Sequence, residues 1–465
     1  MTNRLKRIFQ PVDMLHGSIL KSLLWFAVPI LISNLFQQLY NTVDTMIVGH
    51  VLGETSLAAI GACTPVYDLL IGFALGIGRG LSIVTARSFG SGDRKLLKQS
   101  VACAMVIAVG VSLVITVLAQ VGVHPLLKLL NTPPEIIEES LSYIKMITLF
   151  TVVMLAYNLC AGALQAIGNS LMPLIFLMIS SAINVALDYV FIAKLGMGIR
   201  GAAVATVIAQ GISAVLSIFY ISRNCRLLVP RKEDFHIRGS LAKEMLAQGM
   251  SMGFMSSIVS AGSVILQYGI NGLGYLTIAG HTAARKLFQF CMMPFSALSM
   301  AMATFVSQNR GADNRVRIYK SMRCARWYSI CAAAALTVIL SFAAPYMVAL
   351  ISGSSEEIIL HNGSMYLRVV APFFAVLGVL NSTRNSLQGL GHKLLPLVSS
   401  MIELVGKILF VVLLIPHFGY MAVVFCEPAI WCVMTMQLSV AFYRDPYIRE
   451  AKTQEVLGKR NNGEK

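Results

Sequence analysis

Asp188 lies in SSAINVALDYVFIAKLG, a segment otherwise apolar enough to cross a bilayer. Asn184 precedes it by one helical turn, so the two side chains share a face. A carboxylate at membrane depth costs about 2.5–3.5 kcal/mol or more unless it faces a polar interior. Such a group marks a site for a cation or a proton. A second acid closes a polar series in PILISNLFQQLYNTVDTMIVG, where Asn34, Gln37, Asn41 and Asp44 recur at helical spacing on one face. Ile30, Ile32, Leu35, Leu39, Val43 and Met46 cover much of the rest. Lipid offers the polar stripe no partners, so it must face protein or water. Asn and Gln alone would serve helix–helix hydrogen bonding. Asp44 demands a partner or solvent. With Tyr40 of the same stretch and Gln267 of a later helix, Asn34, Gln37 and Asn41 are expected to line a substrate cavity.

These residues need membrane helices to hold them. The chain has 465 residues, 56% of them hydrophobic and only 12% charged, and a mean hydropathy of +0.72. Soluble domains carry about 25% charged residues. The pattern predicts an all-α polytopic membrane protein with twelve transmembrane helices, over 20–48, 56–84, 98–123, 137–161, 170–193, 199–222, 244–270, 277–307, 321–350, 357–386, 393–415 and 419–443. The N-terminus is basic and then apolar, but no small-residue cleavage site ends the run, so the first helix is read as retained.

The net charge of +16 is topological rather than a nucleic-acid signal. Basic residues gather in alternate connections and tails: Arg4, Lys6 and Arg7; Arg94, Lys95 and Lys98; Arg223, Arg226, Arg231 and Lys232; Arg310, Arg315, Arg317 and Lys320; Arg444, Arg449, Lys459 and Arg460. No aromatic interleaving suits base stacking, so no nucleic-acid partner is expected. The opposite connections GHVLGETS, NTPPEIIEES, SGSSEEIILHNGS and PHFGY hold no Lys or Arg, and only Lys194 and Arg200 depart from the rule. Both termini are therefore expected in the cytoplasm. Nine scattered cysteines, among them Cys63, Cys103, Cys160, Cys291, Cys331, Cys426 and Cys432, show no metal spacing and read as packing residues.

The two halves repeat. LQAIGNSLMPL at 164–174 matches LQGLGHKLLPL at 387–397, and the same shift of 223 pairs Tyr143 with Tyr366, Asn158 with Asn381 and Gly196 with Gly419. Gln37 and Asn41 echo Gln267 and Asn271, and GSGDR at 90–94 echoes GADNR at 311–315. Six helices per half make the repeat parallel, as in alternating-access carriers. The expected division is a six-helix lobe at 1–222, a basic cytoplasmic connection at 223–243, a second lobe at 244–443 and a cytoplasmic tail at 444–465. At about 1.5 Å per residue, Asp44 lies about 30 Å along the first helix and Asp188 about 28 Å along the fifth. Both fall in the outer half of the membrane, at the depth of Thr206 in GAAVATVIAQ.

The second half diverges there. Lys407 stands where Asn184 would be and Val411 where Asp188 would be. Glu403 and Lys407 are spaced for an ion pair. Arg384, Glu427 and the His281, Arg285 and Lys286 group complete a second-lobe polar network, read either as structural pairing or as gating and substrate contact. Asp68 and Arg79 receive no role. The 24 methionines suit an adaptable cavity or lipid-facing packing.

QQLYNTVDTMIVGHVLGETSLAAIG, GSGD, LQAIGNSLMPL, INVALDYVFIAKLGMGIRGAAVATVIAQ and ATFVSQNRGA resemble the multidrug and toxic compound extrusion (MATE) family over nearly the whole chain. The resemblance implies two pseudo-symmetric six-helix lobes around a V-shaped central cavity. It implies export of organic, often cationic compounds in exchange for Na⁺ or H⁺. Within the family, a DinF-like bacterial and archaeal branch has an acid on helix 1, an Asn and an Asp on helix 5 and a Thr on helix 6. Asp44, Asn184, Asp188 and Thr206 match that pattern and become the expected cation or proton site, with Na⁺ the metal it would suit. The other branch's acids on helices 7 and 10 are missing: SMGFMSSIVSAGSVILQYG is neutral, and helix 10 carries Arg384.

The expectation is an antiporter with no resident cofactor, taking a drug or metabolite as substrate, in the inner (cytoplasmic) membrane and working as a monomer. Its ion stays open: neutral oxygens suit Na⁺, and two close carboxylates suit a proton. A lipid or lipid-linked oligosaccharide flippase of the same superfamily is the alternative. HExxH is missing and no paired catalytic His/Asp motif lies at membrane depth, which argues against an enzyme.

Overall fold

The computed structural model describes residues 10–130 and 132–463. Arg4, Lys6 and Arg7 lie outside the described residues, as does Asn131 of the connection NTPPEIIEES. So do the side chains of Lys459 and Arg460. Among the described residues, twelve spans, with the bent pair in α4 taken as one, run as α1 (Ile19–Leu52), α2 (Glu54–Gly90), α3 (Arg94–Leu129), α4 (Pro134–Leu149 and Thr151–Ala166), α5 (Leu171–Lys194), α6 (Ile199–Asn224), α7 (Gly239–Asn271), α8 (Tyr275–Gly311), α9 (Arg315–Ser352), α10 (Glu357–Leu390), α11 (Leu394–Phe418) and α12 (Tyr420–Arg444). A further helix, α13 (Pro446–Gly463), occupies the expected tail. Asp445 starts it by accepting from the backbone N–H of Tyr447 at 2.9 Å, and Ile448 and Ala451 are buried. Among the described residues there is no strand.

The helix ends follow local chemistry. After α4, the N–H of Gly168 donates to Gln165 and that of Asn169 to Leu164. After α10, Gly391 donates to Gln388 and His392 to Leu387. These are paired Schellman stops, and each needs a left-handed residue. Gly168 supplies it at φ 90° and Gly391 at φ 102°. The repeat LQAIGNS/LQGLGHK is therefore a repeat of helix termination.

α4 bends by 49° at Phe150. The carbonyls released there are taken by α3: Thr116 Oγ1 donates to Thr148 O at 2.9 Å and Gln120 Nε2 to Lys145 O at 2.9 Å. A broken backbone within the bilayer survives only with such replacements. α10 has a 3₁₀ turn at Ala371–Phe373, the matching place in the repeat, where Pro372 removes a donor.

The chain divides into two compact units, one of residues up to Asp13 with Val28–Ser257, the other Met14–Ala27 with Ile258–Lys465. The divisions fall inside α1 and α7. In the first unit, α2 and the first part of α7 meet through facing glycines. A Cβ on Gly80 would lie 2.6 Å from Gly249 Cα, and one on Gly76 2.9 Å from Gly253 Cα. Two GxxxG motifs thus let the backbones touch. Phe73 packs edge-on against Phe254 at 5.4 Å, and Arg87 pairs with Glu244 at the helix end.

Candidate functional site

α5 carries one buried stripe at every fourth position: Met172, Phe176, Ser180, Asn184 and Asp188. Met178 and Ile179 on the other side are exposed. Asp188 is fully buried, as the cost of a lipid-facing carboxylate requires. Directly after it, α5 widens into a π-helical segment, Tyr189–Lys194. α11 has one too, at Phe410–Leu414. Since α11 has Val411 in place of the acid, the wide turn belongs to the fold rather than to the carboxylate. Around Thr206, α6 buries small residues on several sides, Ala202, Ala203, Ala205 and Ala209.

The structure brings the four expected residues together. The carboxyl groups of Asp44 and Asp188 lie within hydrogen-bonding reach of each other. Oδ1 of each is buried and meets no donor. The Asn184 amide has two isosteric orientations. In one, Nδ2 is 3.4 Å from Thr206 Oγ1, and the amide oxygen faces only acceptors. In the other, Nδ2 donates to Asp188 Oδ2 at 2.8 Å and Oδ1 accepts from Thr206 N at 3.2 Å. The second satisfies both ends without an added cation; hydrogen-bond satisfaction is what assigns such amides.

Tyr40 reaches Thr206 with its hydroxyl and so stands beside the acids, one turn before Asp44. Sequence reading passed over Tyr143 as a site residue, yet it lies close to Asp44 and packs with Val48 and Ile192. Its pairing with Tyr366 was the available signal, because Tyr366 also attends an acid. Asn34 is half-buried, while Gln37 and Asn41 are exposed on the first unit. Gln267, in the second unit, donates to Asn271 at 2.8 Å. Asp68 and Arg79 are exposed, and neither has an ion-pair partner among the described residues. Lys194 sits over the Tyr189 ring at 5.9 Å, and Arg200 donates to Ser142 Oγ at 2.5 Å. The two exceptions to the charge rule are thus held locally.

The second unit arranges its charges in a chain. Arg285 donates to Glu427 at 2.6 Å and to the Tyr366 hydroxyl at 3.1 Å. Tyr366 donates to the same carboxylate at 3.0 Å. Lys407 Nζ is 3.0 Å from Glu403 and 3.9 Å from Glu427. Arg384 reaches Glu403 only at 3.9 Å, with its Nε on Ser399 Oγ at 3.0 Å. His281 meets Tyr420 at 3.2 Å, and Lys286 is exposed. Among the described residues no group of three or more His, Cys, Asp or Glu is placed to hold a metal. The two acids would therefore need the neutral oxygens of Asn184 and Thr206 to complete a cation shell.

Twelve spans among the described residues and a parallel repeat are the architecture of a membrane transporter. The MatE family model matches residues 29–190 and again 252–413, both ends offset by 223, and the chain belongs to that family. It is 24% identical over 391 residues to the probable multidrug resistance protein YpnP of Bacillus subtilis, covering 84% of this chain and 87% of the relative. It is 26% identical over 413 residues to YoeA of the same organism, also named a probable multidrug resistance protein, covering 86% and 88%. The crystal structure of MATE in the bent conformation superposes with a TM-score of 0.85 at 21% identity, over 96% of this chain and 99% of the other.

Proposed function

We propose that the protein exports small organic compounds in exchange for Na⁺ or H⁺, with Asp44 and Asp188 as the ion acceptors. One observation carries this reading: the buried Asp188 and the half-buried Asp44 bring their carboxyl groups together, and Oδ1 of each is buried and lacks a donor. Like charges so close cannot both remain ionised without a proton or cation between them. The names of the relatives in Bacillus subtilis supply the exported class, drugs.

The Asn184 amide serves either ion. With its nitrogen toward Asp188 it accompanies a proton on the pair; with its oxygen there it completes a Na⁺ shell together with Thr206. Entry of the ion from outside neutralises the pair and tightens α1, α5 and α6 around it. Inward movement of one positive charge contributes about 2.3 kcal/mol per 100 mV. The two lobes then rock or α1 bends near Pro29, and substrate leaves on the outer side. The protein works as a monomer in the cytoplasmic membrane of a bacterium, with both termini inside.

Efflux of a fluorescent organic cation from proteoliposomes, with Na⁺ and pH gradients imposed separately, tests this. Asp188→Asn is expected to fold, insert and lose ion-driven efflux under both gradients. Wild-type rates from that variant would overturn the coupling role.

A further inference from the structure

The charge chain of the second unit surrounds a cavity of about 240 Å³. Arg285, Arg384 and Lys407 line it with Glu403 and Glu427, so three cations meet two carboxylates. The contacts identify the odd one. Arg285 is bound to Glu427 at 2.6 Å, and Lys407 to Glu403 at 3.0 Å. Arg384 has no carboxylate within hydrogen-bonding distance, since Glu403 stands 3.9 Å away. Its side chain is only 10% exposed, yet Nη2 has no hydrogen-bond partner. A buried guanidinium donor without an acceptor is costly, and Arg384 lines the cavity. The other wall is aromatic and adaptable. Phe288 and Trp431 stack at 6.0 Å and 19°, and Met434 lies beside them.

We propose that this cavity binds an aromatic organic anion, its carboxylate on Arg384 and its ring against the Phe288, Trp431 and Met434 wall. The anion supplies the missing acceptor and brings the local charge to zero. Flat apolar walls with a few placed polar groups are how small-molecule pockets orient a ligand, and guanidinium holds a carboxylate through two parallel bonds. The substrate class therefore includes anions, beside the cations expected from the family resemblance. Binding here does not depend on the acid pair of the first unit. Its role in transport does rest on the exporter reading.

The test uses the full-length protein in nanodiscs, with 2-naphthoate as the probe and neutral 2-naphthylmethanol as the shape control, followed by calorimetry. Wild type is expected to prefer the anion. Arg384→Gln should weaken naphthoate binding by about tenfold or more, the scale of a lost charged hydrogen bond, while leaving the alcohol unchanged. Glu403→Gln should tighten it, because a competing carboxylate is gone. Asp188→Asn should bind naphthoate as wild type does, which separates failure of this site from failure of the coupling site. Should Arg384→Gln not fold, Glu403→Gln and Arg384→Lys decide: the first tightening and the second retaining anion preference. Equal binding of the two probes by wild type would overturn the proposal, as would naphthoate affinity indifferent to both Arg384→Gln and Glu403→Gln.

Discussion

At the scale of residues, the proposed coupling site is a problem of missing donors. Asp188 Oδ2 has the Asn184 amide within 2.8 Å in the satisfied orientation, but Oδ1 of both acids has none. An unsatisfied buried polar group costs about 1–3 kcal/mol. Asp44→Asn places an amide donor there without changing volume. The variant is expected to unfold at a higher temperature than ion-free wild type, and to lose the stabilisation that Na⁺ or low pH gives wild type. Thermal unfolding in choline chloride and in NaCl at several pH values reads both effects. An Asp44→Asn protein that keeps the wild-type ion response would contradict the donor argument. Asp44, Asn184 and Asp188 were legible from the sequence because an acid in an apolar run is rare and helical spacing fixes its face; Thr206 was reached through its depth and the family resemblance. The orientation of Asn184 was not, since both rotamers fill the same space. Nor was the order of pairing in the second unit, where Arg285 rather than Lys407 takes Glu427 most closely; those partners come from helices far apart in the chain.

At the scale of elements, the apolar runs place most helix boundaries within a turn or two. The stops at Gly168 and Gly391 and Asp93, which caps α3 through Lys95 N at 2.9 Å, lie beyond the ends that the apolar runs predict. The break in α4 was invisible because its cause lies in α3, whose Thr116 and Gln120 satisfy the freed carbonyls. The close approach of α2 and α7 was equally hidden: glycine at helical spacing says small, but not what it faces. That contact makes a signed prediction. Gly80→Ala puts a Cβ 2.6–2.8 Å from the backbone of Gln248 and Gly249, forcing the helices apart at about 1–3 kcal/mol. Gly78→Ala, two residues earlier, meets nothing within 4 Å and should be neutral or slightly stabilising, by up to about 1 kcal/mol from helix propensity alone. Thermal unfolding of the two variants side by side checks this, and equal stabilities would refute the facing-glycine account.

At the scale of the molecule, one parallel repeat carries two different electrostatic designs. The first unit brings a buried and a half-buried acid together with, among the described residues, no cation paired to either; the second sets three cations around two acids. The repeated tyrosines, Tyr143 and Tyr366, accompany an acid in each, so the scaffold was kept while the charges were exchanged. The repeat and the twelve spans were readable because shift and hydropathy are properties of the chain. The compact units were not, because each division runs through a continuous apolar helix, α1 or α7. Charge placement predicts the orientation. The α6–α7 connection holds Arg226, Arg231 and Lys232, while 353–356 between α9 and α10 holds no basic residue. Lys194 and Arg200 do not weigh against this, because a tyrosine ring and a serine hydroxyl hold them in place. With the nine cysteines replaced, Ser355→Cys should react with a membrane-impermeant maleimide on intact cells. Glu233→Cys, equally exposed, should react only after permeabilisation. The reverse pattern would invert the topology and place the Asp44–Asp188 pair nearer the cytoplasmic side, so the driving ion would have to reach it by a longer path from outside.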